Sequence, residues 1–489
     1  MDRILGFLPD ADPTTPGALM VVDKMVPTML GMAGQPSGIV PTGVGNLPGL
    51  CIGAAVVTKN DDTRRLFAAT ASTLYELVGT TWTSRNRVAP YTTGIDRRWA
   101  FAQFGDSTLA SNLDDVIQRS PGAGAFADIA TAPKARIIFS VGSFVMALNT
   151  SDGTYGVSPD RWWCCAANDE TSWTPSVATL ATTGRLVSSP GKITAGGALG
   201  EYAVAYKERA IYIAQFVGAP AVWDFQRVIG GDAGCVGQDA WCDIGGAHFV
   251  VGQEEMYFFD GTRPVPVGNG EVSDWFYRTS DPNQRHKIKC FYDKSTNLLH
   301  ICYPSIGSTV CDSALCYHTK SKRWGHETLE VEALLNYVAP GATIDGLDAT
   351  YPTIDSLSTV SFDSGFWLQG GRSFAHINTS GSLRSRTGAG PNVSCGFTTG
   401  DAGDDRLRST MVEMRLRFEP GYKPSSATVS ILCRDDLGDT PVTQATSTLA
   451  DSKFDVIANG RWHSANVVFG PGAVRVTHLG ATLIPEGDV

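Results

Sequence analysis

Short β-type runs separated by tight-turn signals recur along most of this sequence, and they restrict the chain to an all-β fold. The runs are rich in β-branched and aromatic residues, which strands favour, and each is bounded by glycine or polar turn residues. Clear examples lie at 66–82, 98–118, 135–153, 201–225 and 247–268. Within 292–304 the side chains alternate with a period of two, which predicts a strand with Leu298, His300 and Cys302 on one face.

The arrangement of these runs favours a β-propeller. Hairpins recur every few tens of residues with irregular spacing, which predicts degenerate blades over residues 51–383. Turn chemistry agrees, because Asp260 and Gly261 stand where a hairpin needs positive φ, and Pro264 follows as a stop. A stack of β-sandwich sheets would give similar patterns and stays an alternative.

The ends of the chain differ in texture from this central part. Residues 1–50 carry frequent Pro and Gly, which indicates an irregular N-terminal arm or platform segment. Residues 390–489 contain further alternating runs and predict a separate antiparallel β platform domain. A polar loop is expected over 340–360, and 330–338 is expected to be strand or core.

Four methionines near the N-terminus, Met20, Met25, Met29 and Met32, have helical spacing, but Pro27 lies among them. They indicate a short helical turn or core filler rather than a cofactor site.

The charge balance argues against a protein that grips nucleic acid. The chain has 39 Lys and Arg against 49 Asp and Glu, a formal net charge of −10. Binding phosphates needs clustered basic residues, and the densest basic stretch, 320–324, is a short turn. Charged residues interrupt every apolar run at the N-terminus, so neither a signal peptide nor a membrane span is predicted. The 11 cysteines, without the spacing of a disulfide framework, indicate reduced thiols and synthesis in the cytoplasm.

The stretch WWCCAANDETSWTP, residues 162–175, is the first place to look for thiol chemistry. Adjacent strand residues point to opposite faces, so Cys164 and Cys165 cannot easily bind one metal ion. Residues 168–171 read as a polar turn, and Trp173 is expected to begin the next strand. The two thiols are therefore predicted to be packed rather than reactive.

Paired acids are the next candidates, since two carboxylates can hydrolyse glycosides. The pairs lie beside turn residues, where Asp favours hydrogen bonds to its own backbone. They are Asp61-Asp62, Asp114-Asp115, Asp404-Asp405 and Asp435-Asp436. The sequence contains no H-E-x-x-H, G-x-S-x-G or P-loop motif, and 43–49 has Pro48 in place of a fingerprint glycine. His318 and His326 bracket a turn. We therefore predict no catalytic, cofactor-binding or metal site, and a protein that is not an enzyme.

Several longer strings resemble one known family, the tail nozzle or packaged-DNA stabilisation (head-tail knob) proteins of short-tailed bacteriophages. The densest is PGKITAGGALGEYAVAYKERAIYIAQFVGAPAVWDFQRVIGGDAGCVG at 190–237, followed by HFVVGQEEMYFFDGTRPVPVG at 248–268. Further strings of this kind lie at 6–38, 67–77, 98–111, 159–176 and 460–489. The resemblance covers nearly the whole chain, although no string in it has a residue-level function to transfer.

The resemblance implies a β-propeller joined to a platform domain, in a structural protein of the virion tail assembled in the host cytoplasm. In that family the subunits form a homo-oligomer, a hexameric ring below the portal and adaptor proteins, and tail fibre, spike or tip plug proteins lie beyond it. DNA passes through the ring without sequence-specific binding, and no cofactor is implied.

Two other functions stay open from the sequence. A propeller at the tail tip would bind host-surface glycans through exposed aromatic rings. The candidates each end a β run near a turn, where they would otherwise close blades by packing; they are Trp82, Trp173, Trp223 and Trp324. A propeller glycosidase or lyase would need acids that converge from distant blades.

Overall fold

A computed structural model describes residues 1–41, 43–94, 96–230, 233–338, 372–386 and 393–486. The described chain is almost entirely β, with one α-helix and one 3₁₀ turn. It divides into two compact units. The three-segment unit comprises Met1–Ser37, Gly230–Glu330 and Gly388–Val489, and the meander unit comprises Gly38–Ile229 and Val331–Thr387.

Five short strands lie in the N-terminal segment: β1 (Asp2–Arg3), β2 (Gly6–Phe7), β3 (Ala18–Asp23), β4 (Met25–Pro27) and β5 (Met32–Gly34). Met25 and Met32 are fully buried in β4 and β5, whereas Met29 is 56% exposed. The helical turn considered for these methionines is therefore wrong. Lys24 has a φ of 54° and turns the chain between β3 and β4, and two of the four methionines fill the core.

The meander unit begins with four sheets, each made of four strands that follow one another in the chain. The first two are β6 (Gly53–Thr58), β7 (Arg64–Ala69), β8 (Leu74–Val78), β9 (Thr81–Ser84), and β10 (Ala100–Phe104), β11 (Ser107–Ser111), β12 (Gln118–Pro121), β13 (Ala127–Asp128). The next two are β14 (Lys134–Val141), β15 (Phe144–Asp152), β16 (Gly156–Cys164), β17 (Thr182–Arg185), and β18 (Ile193–Leu199), β19 (Tyr202–Lys207), β20 (Ile211–Gly218), β21 (Val222–Arg227).

The middle segment, which belongs to the three-segment unit, contains another such meander followed by the helix and four longer strands. The meander is β22 (Trp241–Asp243), β23 (His248–Val251), β24 (Met256–Phe259) and β25 (Pro264–Val267). After it come α1 (Ser273–Thr279), the 3₁₀ turn Arg285–Lys287, β26 (Lys289–Asp293), β27 (Leu298–Tyr303), β28 (Cys311–His318) and β29 (Arg323–Val331).

The last meander completes the meander unit, and the C-terminal strands complete the other. The meander has three strands, β30 (Ala333–Val338), β31 (Arg372–Ile377) and β32 (Leu383–Ser385). The C-terminal strands are β33 (Cys395–Thr399), β34 (Ala402–Gly403), β35 (Ser409–Phe418), β36 (Ala427–Arg434), β37 (Val442–Thr448), β38 (Lys453–Gly460), β39 (Trp462–Phe469) and β40 (Arg475–Pro485).

Six of these sheets are antiparallel meanders of the propeller-blade type, and the remaining strands form further, mainly antiparallel sheets. The predicted all-β class with a β-propeller is therefore confirmed. The expectation for 330–338 is also confirmed, because β29 ends at Val331 and β30 alternates between buried and half-buried side chains.

Packing inside the meander unit is tight enough to require glycine. Leu148 of β15 lies opposite Trp162 of β16, and both belong to a large apolar core. A Cβ at Gly196 of β18 would collide with the Leu148 side chain and would lie 2.9 Å from the Val204 carbonyl oxygen, so only glycine fits where β18 approaches β15. Residues 372–386, in the second segment of the meander unit, contact the first segment. The Leu47 N–H donates a hydrogen bond to the Gly381 carbonyl oxygen at 2.8 Å.

The three-segment unit is held together by pairs between distant segments. Its ten-stranded sheet has the order β26-β27-β28-β29-β4-β5-β40-β35-β38, with β1 beside β40. Its seven-stranded sheet has the order β2-β3-β33-β39-β36-β37, with β34 beside β39. In the register, Asp2 lies opposite Leu479 and Val22 lies opposite Phe397.

Two expectations stay untested. The polar loop at 340–360 lies outside the described residues. The division into 1–50, 51–383 and 390–489 stays a prediction.

Among the described residues, no helix is long and apolar enough to cross a membrane.

Candidate functional site

The described part of the chain holds one group of three metal-ligating side chains whose donor atoms lie close together: His300, Cys316 and Glu327. They come from three neighbouring strands of the ten-stranded sheet, β27, β28 and β29. The hairpin register places His300 directly opposite Cys316. Side chains opposite each other in an antiparallel pair project from the same face, so the pairing itself brings imidazole and thiol together.

The donor atoms of this cluster form a small triangle. Cys316 Sγ lies 2.9 Å from Glu327 Oε1 and 3.4 Å from His300 Nδ1. His300 Nδ1 lies 3.3 Å from Glu327 Oε1, which closes the triangle. In this arrangement the Cys316 thiol donates a hydrogen bond to the Glu327 carboxylate, and the His300 imidazole is within reach of both.

The cluster is shielded from water. His300 is 2% exposed, and Cys316 and Glu327 are 0% exposed. A buried carboxylate is costly unless donors or a cation compensate its charge. The three side chains together offer one nitrogen, one sulfur and one oxygen, the donor types that zinc uses in proteins. This cluster is therefore the strongest candidate for a bound ion in the described residues.

A second buried pair in the same unit has a different chemistry. Cys433 Sγ lies 3.2 Å from His463 Nδ1, and Ser409 Oγ lies 3.0 Å from His463 Nε2. Burial raises the pKa of the Cys433 thiol to about 11 and lowers the pKa of His463. Both groups are therefore neutral near pH 7, unlike the thiolate and imidazolium of a reactive cysteine.

The adjacent cysteines Cys164 and Cys165 are fully buried at the end of β16. Burial raises the pKa of each thiol to about 12. Their burial and raised pKa values are those expected of packed, unreactive thiols. The strand expected from Trp173 is wrong: the polar turn continues past it, and β17 begins only at Thr182.

The acid pairs lie in turns, as expected. Asp61 accepts hydrogen bonds from the backbone and hydroxyl of Thr63, at 3.0 and 2.5 Å. Asp404 accepts from the Arg406 and Leu407 backbones, and Asp436 from the Gly438 backbone. Further contacts of these acids include the ion pairs of Asp114 with Arg97, Asp115 with Arg87 and Asp435 with Arg408. The carboxylates of these pairs serve local turns and ion pairs.

The four tryptophans considered for sugar binding are buried: Trp82, Trp173, Trp223 and Trp324. The Trp324 indole N–H donates to Glu271 Oε2 at 2.7 Å, and the Trp173 N–H to the Glu170 carbonyl at 2.9 Å. Trp82 donates to the Gly45 carbonyl at 3.0 Å. Their rings pack in the core, so these four tryptophans present no face to a sugar.

The sequence prediction missed the His300, Cys316 and Glu327 cluster. Its residues have 15 and 10 residues between them, a spacing that matches no local ligand motif. Part of the cluster could have been predicted from the sequence, because a hairpin turn centred near Gly307 pairs His300 with Cys316. Glu327 could not be added from the sequence, since its position depends on how β29 aligns with β28.

Comparison with known proteins identifies no family. No protein-family model matches the sequence, and no curated protein matches it. A structure of YCF48 bound to D1 peptide is 10% identical, with 70% of this chain and 94% of that chain covered and a TM-score of 0.37. The computationally designed protein Ika8 is 10% identical over 71% of this chain and 99% of its own, with a TM-score of 0.36.

A third similar structure is PorZ of Porphyromonas gingivalis, a bacterial surface component of the type-IX secretion system. It is 9% identical, with 76% of this chain and 44% of that chain covered and a TM-score of 0.37. Similarities at this level carry no argument about the function of the present chain.

Proposed function

We propose that this chain is a structural subunit of the tail nozzle of a short-tailed bacteriophage. In this role it forms a ring, six copies in the related family, below the portal and adaptor proteins. The ring retains packaged DNA and conducts it during ejection. The observation that carries the proposal is the combination of propeller-type blades with a second set of antiparallel sheets, which matches the architecture implied by the family-like strings at 190–268.

The charge of the chain supports this role. A conduit must surround a polyanion without adhering to it, and clustered Lys and Arg would bind the phosphates. The formal charge of −10 disfavours such adhesion. The protein therefore fits a channel wall better than a DNA-binding protein.

The positions of the tryptophans and acid pairs considered as candidate site residues also support a structural role. The four tryptophans are buried, and the acid pairs Asp61-Asp62 and Asp435-Asp436 are exposed turn residues rather than opposed catalytic groups. Glycoside hydrolysis needs two carboxyl groups on either side of a bond, at about 5–10 Å. Neither alternative function gains an observation in its favour.

Partners follow from the role. A closed ring uses heterologous contacts, in which one surface of each copy meets a different surface of the next. We expect the portal adaptor to bind one end of this ring and tail fibre, spike or tip plug proteins to lie toward the other. The location is then the virion tail, after assembly in the host cytoplasm.

Immunogold electron microscopy of intact phage particles tests the proposal. An antibody against this chain is expected to label the tail below one vertex, whereas an antibody against the major capsid protein labels the whole head. Label on peripheral fibres would favour receptor binding. Absence of the chain from purified particles would overturn the structural role.

Self-association provides an independent measurement. Native mass spectrometry of the purified chain, alone and with the portal–adaptor complex, is expected to show rings on the adaptor. A chain that stays monomeric in the presence of the adaptor contradicts ring formation.

A further inference from the structure

We propose that His300, Cys316 and Glu327 form a binding site for a divalent transition-metal ion of the zinc class, which ties together three neighbouring strands. The proposal is independent of the nozzle role, because it concerns how this part of the sheet is stabilised.

The spacing of the donor atoms fits such an ion. Bond lengths of about 2.0–2.3 Å in a tetrahedral zinc site place the ligand atoms about 3.3–3.6 Å apart. The nitrogen–oxygen distance of 3.3 Å and the nitrogen–sulfur distance of 3.4 Å already agree with that spacing. The sulfur–oxygen distance of 2.9 Å must open by about 0.6 Å, a small side-chain adjustment.

The donor types select the class of metal. Magnesium and calcium prefer sites made only of oxygen, whereas thiolate and imidazole favour zinc and neighbouring transition metals. Two of the three donors here, Cys316 and His300, are of that second kind. Three protein ligands leave a fourth position for a water molecule or a second carboxylate oxygen.

Charge is balanced when the ion binds. The Cys316 thiol releases one proton to solvent, Glu327 is ionised, and His300 coordinates through Nδ1 with its proton on Nε2. The two negative charges then neutralise a divalent cation, so no net charge remains in a buried place. Because all three side chains are buried, the ion must enter as the sheet forms and leave only when it opens.

The Cys433 and His463 pair provides the matched control. It has a thiol and an imidazole in contact on neighbouring strands of the same unit, but Ser409 takes the place of the carboxylate. The nearby Asp401 carboxylate is paired with Arg434 instead. This second pair therefore lacks the anionic oxygen ligand.

Metal content is the first measurement. The full-length protein is refolded with zinc, dialysed against a chelator and analysed by elemental mass spectrometry. We expect about one zinc per chain for wild type and for Cys433→Ser, and about tenfold less for Cys316→Ser and Glu327→Gln. Equal zinc in wild type and in both cluster variants would overturn the proposal.

A second measurement needs only the wild-type chain and so does not depend on the folding of variants. Refolding with Co²⁺ in place of zinc is expected to give a thiolate-to-cobalt charge-transfer absorption, which disappears on unfolding in chelator. A folded wild-type chain with no bound zinc and no such band would show that the cluster is hydrogen-bonded only, and the proposal would be wrong.

Discussion

The two units of this protein are both made of β-strands, but only the three-segment unit also pairs strands from opposite ends of the chain. In the meander unit each sheet is built from consecutive strands, as in β6 to β9, which occupy residues 53–84. In the three-segment unit Asp2 pairs with Leu479, and Val22 pairs with Phe397. Strands of one kind therefore support both local and long-range sheet construction, and the connectivity decides how each unit forms.

This difference has an energetic side. Closing a loop between distant residues costs more conformational entropy than closing a hairpin, and the cost precedes any gain from the contact. The blades of the meander unit can each form from neighbouring residues. The three-segment unit must bring the two ends of the chain together before its large sheets are complete, so we expect it to be the more easily disrupted unit.

Truncation gives the largest expected effect. A chain that ends at Val474 lacks β40, which pairs with β1, β5 and β35. We expect the amides of the three-segment unit to lose protection, while those of β14 to β16 stay protected. Hydrogen exchange with mass spectrometry measures both in one sample.

A chain that ends at Glu486 keeps β40 and serves as the control. Equal loss of protection in both units of the Val474 variant would contradict the comparison, because the two units would then unfold together.

Removal of one tryptophan from each unit sharpens the contrast. Trp324 and Trp173 are both fully buried and both donate an indole hydrogen bond. Each change to Ala is expected to cost about 3–5 kcal/mol of unfolding free energy, since a large buried side chain is lost. We expect Trp324→Ala to destabilise the three-segment unit and Trp173→Ala the meander unit, as measured by denaturant-dependent hydrogen exchange.

Trp324→Phe and Trp173→Phe keep most of the ring and are expected to lose less stability than the Ala variants. If hydrogen exchange instead rises in the unit that does not contain the substituted tryptophan, the two units do not unfold independently.

A buried ion cluster gives the meander unit a pH dependence. Glu76 lies 2.6 Å from both Arg65 and Arg85. Burial acts to raise the pKa of Glu76, but the hydrogen bonds and charges of the two arginines outweigh it, and the pKa is lowered. The lowered pKa stabilises the fold above about pH 4.5, and this stabilisation is lost as the pH falls through the folded pKa.

Glu76→Gln is expected to cost about 3 kcal/mol at pH 7, because it leaves the buried Arg65 without its charge partner. The variant should also lose less stability than wild type as the pH falls from 7 to 3, as measured by the midpoint of thermal unfolding at each pH. Glu413→Gln in the three-segment unit is the control, because Glu413 also has a lowered pKa but pairs with Arg415 at the exposed surface. A larger effect from Glu413→Gln would refute this assignment.

Thiol labelling gives the smallest expected signal in the native protein. Burial raises the pKa values of Cys164 and Cys165 to about 12 and that of Cys433 to about 11, so alkylation at pH 7 should be negligible. In denaturant all 11 cysteines should react. With increasing mild denaturant we expect Cys433 to react before Cys164 and Cys165, and mass spectrometry of peptides locates the reacted residues. The opposite order would show that the meander unit is the weaker one.

The sequence could predict local structure because turns and their flanking strands are close together in the chain. Thus the hairpin with Asp260 and Gly261 follows from turn chemistry. Trp173 was misplaced because the turn that begins near Asp169 runs on, with the Asp169 carboxylate bonded to Thr171. The pairing of β1 with β40 could not be predicted, since alternation shows which face is buried but not which strand lies beside it.

The same limit applies to the candidate site. The periodicity of 292–304 places His300 on a strand face, but its meeting with Cys316 and Glu327 depends on two strand registers. Burial of the tryptophans could be expected from packing, whereas the buried carboxylate of Glu327 could not. Polar residues in a sheet interior are visible only when the neighbouring strands are known.

Because Asp2 of β1 pairs with Leu479 of β40, β1 cannot complete its pairing until the ribosome has made almost the whole chain. Ribosomes add about 5–20 residues per second, so the first strands wait roughly 20–90 s for β40 to emerge. Within the same time the early blades wait roughly 8–30 s, while the residues from 228 to the end of β32 at Ser385 are made, before the strands β30 to β32 can join them. Throughout that interval the N-terminal strands present unpaired backbone edges to every neighbouring nascent chain. Expression at a reduced growth temperature or with added chaperones should therefore increase the yield of correctly folded protein.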